Sequence, residues 1–253
     1  MAGHSHSANI AIRKGAQDKK RAKMFSKLAK EITVAAKLGG ADSDANPRLR
    51  LALRKAKSQS LPKDTVDRAV RKGAGDGDSD AYYELVMEGY GPGGTAIYCE
   101  VLTDNRNRAA SEVRFAFTRG GGNFGTSGCV AYMFARKGVI VCRGDEDAVM
   151  MAALEAGAED VSAEGVNDDG ETIFEVVCDA AEIEAVVTEL SEGGAQVDDD
   201  SVLFVPDLRV AVGGDDARLL LRLLDMLDDA DDVQHVHHNA NIDPAVIEEY
   251  SNS

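Results

Sequence analysis

Apolar residues recur every three or four positions in the first part of the chain, with polar residues between them. This spacing puts an apolar stripe on one side of a helix, as in amphipathic helices that pack against a neighbour. The first such segment covers about 17–38, and its stripe includes Phe25 and Ile32. The stripe stops at Gly39 and Gly40, which are frequent at helix C-termini. The pattern predicts a long first helix.

Two shorter helices follow, and each is marked at its start by a capping residue or a proline. Asn46 can accept a hydrogen bond from the first helical amides, and Pro47 suits the first helical position. Pro62 is predicted to play the same part as Pro47 in the third helix, which ends at Gly73. Three amphipathic helices with short links predict a small N-terminal bundle.

After the bundle the pattern changes to short strands and glycine-rich turns. The segments "YYELVMEGYG" and "PGGTAIYCEVLTD" are joined by glycines, which predicts a β-hairpin. The segment "NRNRAASEVRFAFTRGG" has helical spacing with Val113, Ala116 and Phe117 facing inward, and "GCVAYMF" predicts a further strand. These elements predict one half of an α/β domain.

Residues 138–206 alternate strand and helix patterns in the order βαββαβ, which is the ferredoxin-like split motif. Because the two ends of such a module lie close together, it can be inserted into another domain. The predicted fold is α+β, with a helical bundle at 1–75 and a linker at "GAGDGDSDA". A discontinuous α/β domain covers 76–137 plus 207–253, and the ferredoxin-like domain at 138–206 is inserted in it.

The net charge differs between these segments far more than the net charge and pI of the whole chain suggest. The chain has a net charge of −16 and a pI of about 4.7. Residues 1–75 hold 18 Lys and Arg and 6 Asp and Glu, a net of +12, which leaves 10 basic and 38 acidic residues, a net of −28, for the rest. Such asymmetry indicates segments with different partners.

Basic residues of the bundle form rows on the helix surfaces. Lys20, Lys23, Lys27 and Lys30 fall on one side of the first helix, and Glu31 is the single acidic residue one turn away from any of them. A solubilising surface is the alternative, but a one-signed face favours binding of a phosphate backbone. The predicted contacts are Arg13, Lys14, Lys19, Lys20, Arg21, Lys23, Lys27, Lys30, Arg48, Arg50, Arg54, Lys55 and Lys57.

The segment "TDNRNRAASEVR" is the most polar cluster of the middle domain. It predicts a capped helix start with solvated arginines, or a second nucleic-acid contact through Arg106 and Arg108, since guanidinium groups match phosphate oxygens. The pattern leaves both interpretations open.

No other motif predicts a cofactor, a metal site or a catalytic centre. The glycine-rich "GYGPGGT" and "RGGGNFGTSG" favour turns, because neither is followed by the helix and lysine of a phosphate loop. The histidines in "HVHH" alternate along a strand without a metal-ligand pattern. The four cysteines, Cys99, Cys129, Cys142 and Cys178, show no CxxC spacing, and together with the absence of a signal peptide they predict a reduced, cytoplasmic protein.

The order of long motifs resembles the YebC/PmpR family through nearly the whole chain. The matching segments are "MAGHS", "RKGAQDKKRAKMFSKLAKEITVAAKLGG", "DANPRLRLAL", "LPKDT", "EGYGPGGTAI", "TDNRNR", "VAYMF" and "NANI". The resemblance implies a non-enzymatic, cytoplasmic, three-domain protein with a helical N-terminal bundle. The family pattern continues "MAGHS" with Lys-Trp, whereas this chain has His6-Ser7 and no Trp. If that Trp stacks on a base or anchors the N-terminal arm in the family, this chain lacks the contact.

The resemblance also frames three functional hypotheses. Bacterial relatives are described as DNA-binding transcriptional regulators, which is the leading expectation. The mitochondrial relative is described as a translational activator, and some bacterial relatives are implicated in synthesis through proline-rich stretches, so ribosomal RNA is the alternative target. The third hypothesis is an acidic scaffold for a basic protein, because residues 138–253 hold 30 acidic and 4 basic residues. Simple solubility is the competing explanation for that acidity.

Overall fold

The computed structural model describes residues 17–75, 82–167 and 170–251. They form two compact units. The larger unit contains 17–75, 82–132 and 212–240, and the smaller contains 133–167, 170–211 and 241–251. The predicted α+β class, with a helical region followed by sheet domains, is confirmed. The predicted division at 75 borders residues 76–81, which lie outside the described residues, and the division into three domains stays a prediction.

Three helices make the helical part of the larger unit, as predicted. They are α1 (Gln17–Gly39), α2 (Pro47–Ser58) and α3 (Lys63–Gly73). The Asn46 side chain caps α2 by accepting a hydrogen bond from the Leu49 amide at 3.1 Å. Pro62 precedes α3 as its cap and is not its first helical residue. Ile32 and Leu49 are fully buried between the helices, so the apolar stripes are the packing faces.

Gly73 has a second role besides ending α3. A Cβ atom at this position would lie 2.3 Å from the carbonyl oxygen of Thr33 in α1. The missing side chain therefore allows α3 to approach the backbone of α1 closely.

A four-stranded sheet makes the rest of the larger unit. Its strands β1 (Tyr83–Tyr90), β2 (Ala96–Thr103), β3 (Asn123–Phe124) and β9 (Val233–His238) are arranged in the order β3-β1-β2-β9. The predicted hairpin is confirmed, since β1 and β2 pair antiparallel from Tyr90 opposite Ala96. Two helices, α4 (Arg106–Arg119) and α7 (Gly214–Asp229), contribute the buried side chains of Phe117, Leu220 and Leu223.

The strand predicted at "GCVAYMF" is wrong in its first part. Ala131–Met133 form a 3-10 turn, and the next strand begins only at Phe134. The reason is the buried carboxylate of Glu88, which accepts hydrogen bonds from the backbone amides of Val130 and Ala131, both at 2.8 Å. These amides are therefore unavailable for strand pairing.

The smaller unit contains the ferredoxin-like module, which is confirmed. Its elements are β4 (Phe134–Arg143), α5 (Glu146–Glu155), β5 (Asp160–Val166), β6 (Thr172–Asp179), α6 (Ile183–Glu192) and β7 (Gln196–Pro206). The antiparallel sheet has the order β5-β6-β4-β7, so β5 and β7 are its edges. Its core includes Ile140, Phe174, Val186 and Leu190.

The remaining elements are two short strands and a terminal helix. They are β8 (Val210–Val212), β10 (Ala240–Ile242) and α8 (Pro244–Ser251). Of the strands that follow the ferredoxin-like module, β9 joins the four-stranded sheet and β8 does not. Within 17–75, 82–167 and 170–251, no helix is both long enough and apolar enough to cross a membrane.

Candidate nucleic-acid interface

The predicted lysine row of α1 meets the C-terminal end of α7. Lys23 Nζ donates to the carbonyl oxygen of Asp229 at 2.7 Å and lies 3.2 Å from its carboxylate. Lys27 Nζ donates to the carbonyl oxygen of Asp228, also at 2.7 Å. The last carbonyls of a helix have no partner within the helix and carry partial negative charge. These two lysines therefore act as a tertiary cap for α7.

Lys30 extends the same row beyond the helix end. Its Nζ atom donates to the carbonyl oxygen of Asp231 and to the carboxylate of Asp232, each at 2.9 Å. The three described lysines of the row thus contact the acidic segment 228–232, about 200 residues away in sequence. No spacing rule within a helix could have found these partners.

Asp232 is the centre of a buried polar cluster. Its side chain is 2% exposed and accepts hydrogen bonds from the Thr103 hydroxyl at 2.9 Å and from Arg108 Nη2 at 2.7 Å and Nε at 3.1 Å, besides Lys30. Burial alone would raise the pKa of the Asp232 carboxyl, but the hydrogen bonds from Lys30, Arg108 and Thr103 outweigh burial and lower it. Lys30 and Arg108, both predicted to contact phosphate, are therefore already paired with one carboxylate.

Arg48 is engaged in a similar way. Its Nε and Nη2 atoms donate to the Glu31 carboxylate at 2.7 and 3.1 Å, and Nη2 also pairs with Glu84. Burial opposes the charge on Arg48, yet the two carboxylates raise its pKa above the ordinary arginine value. This residue links α1, α2 and β1.

The remaining predicted residues of α2 form a one-signed surface, which we call the α2 face. The α2 sequence has five basic residues and no acidic one. Lys57 is exposed, and Arg50, Arg54 and Lys55 are half-buried. Arg50 Nη1 donates to the carbonyl oxygen of Asp44 at 3.2 Å. The α2 face is defined as Arg50, Arg54, Lys55 and Lys57.

The other predicted contacts at the N-terminal end are Arg13, Lys14, Lys19, Lys20 and Arg21. Arg13 and Lys14 are outside the described residues, as are the side chains of Lys19 and Lys20. The guanidinium of Arg21 lies 5.3 Å from the centre of the Phe25 ring. This cation–π contact leaves Arg21 exposed at the surface of α1.

A second group of cations stacks on aromatic rings in the middle of the larger unit. The guanidinium of Arg106 lies 4.0 Å from the ring centre of Tyr83, and that of Arg114 lies 5.1 Å from the ring centre of Phe124. Phe115 is also largely exposed. Sequence reasoning found Arg106 but missed the aromatic partners, because they lie on the strands β1 and β3 and not on α4 itself. The arrangement mixes cations and open aromatic faces, as base-stacking surfaces do.

The histidines that the sequence singled out make structural contacts in the described part of the chain. His237 Nε2 contacts the Glu100 carboxylate at 2.9 Å, and its ring lies 6.0 Å from that of His235. Within 17–75, 82–167 and 170–251, no group of three or more His, Cys, Asp or Glu side chains is placed to hold a metal ion. The absence of a metal or cofactor requirement stays a prediction.

The cysteines are free thiols, and Cys99, Cys142 and Cys178 are buried. Burial raises the pKa of Cys99 to about 12 and, as the main cause, those of Cys142 and Cys178 to about 11. A thiol with so high a pKa carries almost no thiolate near neutral pH, and the thiolate is the nucleophilic form. These three residues act as packing side chains.

Two protein-family models together match most of the chain. The model of the TACO1/YebC protein N-terminal domain matches residues 5–76, and the model of the TACO1/YebC second and third domain matches residues 82–240.

Individual relatives match along nearly their full length. A protein of Salmonella arizonae named "Probable transcriptional regulatory protein YebC" is 51% identical over 248 residues, 97% of this chain and 98% of the relative. A "Probable transcriptional regulatory protein" of Tolumonas auensis is 50% identical over 247 residues, with 97% and 98% covered. The crystal structure of the conserved hypothetical protein Aq1575 from Aquifex aeolicus matches with a TM-score of 0.80 at 38% identity, covering 89% of this chain and 92% of that chain.

Proposed function

We propose, since the chain belongs to the TACO1/YebC family, that it is a DNA-binding regulator of transcription that holds phosphates through its helical region. The names of its bacterial relatives support a regulatory role. The physical support is the net charge of +12 on residues 1–75, because a cationic segment attracts polyanions and releases their counterions.

The α2 face is the observation that carries the proposal. Lys23, Lys27 and Lys30 have acidic partners, so phosphate would have to compete with them for these lysines. The α2 helix has no acidic residue of its own, and its last turn holds Lys55 and Lys57. Phosphate contacts are proposed to centre on the α2 face, because its helix is basic without any acidic residue, with the lysine row in a mainly positioning role.

Neutralising the α2 face tests this assignment. The triple variant Arg50→Ala, Arg54→Ala and Lys57→Ala should lower the affinity for duplex DNA at least about tenfold at 0.1 M salt. The slope of log K against log salt concentration should become shallower by about 0.9 for each phosphate that the variant no longer neutralises. Fluorescence anisotropy across a salt series measures both quantities.

A charge-matched control separates local contact from loss of net charge. The variant Arg136→Ala, Arg218→Ala and Arg222→Ala removes three exposed cations elsewhere in the chain. It should keep the wild-type salt slope. If both triple variants lose affinity equally, or if neither does, the α2 face is not the contact surface.

RNA is the second candidate target, and the stacked arginines favour it. Arg106 on Tyr83 and Arg114 on Phe124, beside the exposed Phe115, suit unpaired bases better than a duplex, whose bases are already stacked. This surface would fit a ribosome-associated translation factor.

Competition at equal salt discriminates the two targets. Labelled duplex DNA bound to the protein is challenged with unlabelled duplex DNA or with an unpaired RNA strand. Stronger competition by RNA, lost in the variant Phe115→Ala, would favour the translation role. Stronger competition by duplex DNA, unchanged in that variant, is the result expected for a transcriptional regulator.

The remaining parts of the proposal concern catalysis and location. We expect no enzymatic activity, in keeping with the regulatory names of the relatives and with the buried, protonated thiols. A cytoplasmic location is likewise expected, because cysteines persist as free thiols in reducing compartments.

A further inference from the structure

The ferredoxin-like module has an apolar groove on its surface, at the margin of its buried core. The groove lies between α5 and β5, has a volume of about 360 Å³, and is lined by Met150, Met151, Leu154, Ala158 and Val161 together with two acidic residues. Three of these side chains are exposed, Met150 by 48%, Met151 by 63% and Leu154 by 78%. The opposite side of α5 already supplies the buried core residues. Adjacent exposed apolar side chains of this size mark interaction surfaces.

Charge restricts what can occupy this groove. Residues 144–208 contain 20 Asp and Glu and no Lys or Arg. Asp160 and Glu159 line the groove directly, and the Glu159 carboxylate is also paired with Lys137 of β4 at 2.6 Å. Nucleic acid would be repelled, and so would the same face of a second copy of the chain. The complementary occupant is a cationic polypeptide.

The strand beside the groove supplies a way of binding. β5 is an edge of the sheet and pairs with β6 on one side. Its pairing is regular from Asp160 to Ala163, and then the register shifts before Gly165, which has a φ of +131°. An edge strand offers a row of backbone donors and acceptors that another chain can pair with. The regular part lies directly beside Val161 in the groove.

We propose that the groove and the outer edge of β5 bind an extended, cationic segment of a partner protein by strand addition. The segment pairs its backbone with residues 160–163, which provides affinity. Every second side chain is apolar and lies on Met150, Met151 and Leu154. The intervening Lys or Arg side chains face Asp160 and share the Glu159 carboxylate with Lys137.

The test uses the full chain and a short labelled peptide that alternates Lys with Leu or Val. The wild-type protein should bind this peptide, and a matched peptide with Glu in place of Lys should not bind. The variant Met151→Gln and Leu154→Gln should raise the Kd at least about tenfold, which corresponds to about 1.4 kcal/mol. Both side chains are exposed, so the substitutions leave the core intact.

A matched control and a local probe complete the design. Leu208→Gln alters a side chain that is also about 80% exposed but lies outside the groove, and it should bind like the wild type. Amide exchange should show new protection at alternate residues of 160–163 when the peptide is bound. Binding of duplex DNA should be unchanged in the groove variant, which keeps this result separate from the proposed function.

Three results would overturn the proposal. Equal binding of the Lys and Glu peptides would remove the charge argument. Peptide binding without protection of β5 would exclude strand addition. A concentration-dependent dimer that disappears in the variant Met151→Gln and Leu154→Gln would show that a second copy of the chain occupies the groove.

Discussion

Replacing Asp232 by alanine is expected to lower the free energy of unfolding by about 3 kcal/mol. Removing one partner of a buried ion pair costs about 3–5 kcal/mol, because the other charge is left uncompensated. The lower end applies here, since the Arg108 side chain is 52% exposed and can regain water when its partner is removed. Lys30, at 19% exposed, is the charge that stays poorly solvated.

Urea unfolding of the full chain measures this effect, and a neighbouring residue provides the control. Asp231 is exposed, and only its backbone carbonyl contacts Lys30. Asp231→Ala should therefore change the stability by no more than about 0.5 kcal/mol. A comparable loss in both variants would show that net charge, and not the buried cluster, sets the stability.

The difference in free energy of unfolding between the wild type and Asp232→Ala should depend on pH, and the direction follows from the pKa of Asp232. The folded-state pKa of Asp232 is lowered, so its contribution is fully present above the unfolded value of about 3.9 and is lost as the pH falls through the folded pKa. The stability difference between wild type and Asp232→Ala should be constant from neutral pH down to about 5 and should shrink in more acidic solution. A difference that grows on acidification would contradict the assigned charge state.

The cluster also changes how binding experiments on the bundle are interpreted. Lys30 and Arg108 stabilise the larger unit through Asp232, so alanine at either position affects folding as well as any phosphate contact. A loss of nucleic-acid affinity in a Lys30 variant is therefore not evidence for direct contact. The α2 face is the better test, because Lys57 is exposed and lies in the last turn of its helix.

Most of the fold could be predicted from the sequence because helices, caps and element order are encoded by local patterns. Helix periodicity, the Asn46 cap and the βαββαβ order depend on residues close in sequence, and the structure contains all three. The terminal helix α8 was not predicted, although Asp243 and Pro244 carry the usual start pattern, with the Asp243 side chain accepting from the Ala245 amide at 2.9 Å.

The candidate site was less predictable because its partners are distant in sequence. The lysine spacing in α1 predicts one shared face, but the acidic segment that contacts it comes about 200 residues later. An excess of acid elsewhere in the chain does not reveal which carboxylates fold back onto the lysines. The aromatic partners of Arg106 and Arg114 were missed because they lie on other elements, β1 and β3, and helical spacing says nothing about such contacts.

The misassigned strand near Cys129 leads to the second large effect, at Glu88. Glu88→Ala is expected to lower the free energy of unfolding by about 3 kcal/mol, the upper end of the cost of leaving a buried group without its hydrogen bond. The Glu88 carboxylate is buried and accepts from the amides of Gly128, Val130 and Ala131 at 2.6, 2.8 and 2.8 Å. Val130 is itself fully buried, so its amide cannot turn to water for a replacement.

Comparison with a second substitution and a second glutamate locates this effect in the loop. Glu88→Gln keeps the shape and one acceptor oxygen, so it should lose less stability than Glu88→Ala. Glu112→Ala, on the exposed surface of α4, should stay within about 0.5 kcal/mol of wild type. Amide exchange at Gly128, Val130 and Ala131 should accelerate in the Glu88 variants while the core of β2 stays protected. If exchange in this loop is unchanged, the carboxylate does not hold the turn, and the failure of "VAYMF" to begin as a strand needs another cause.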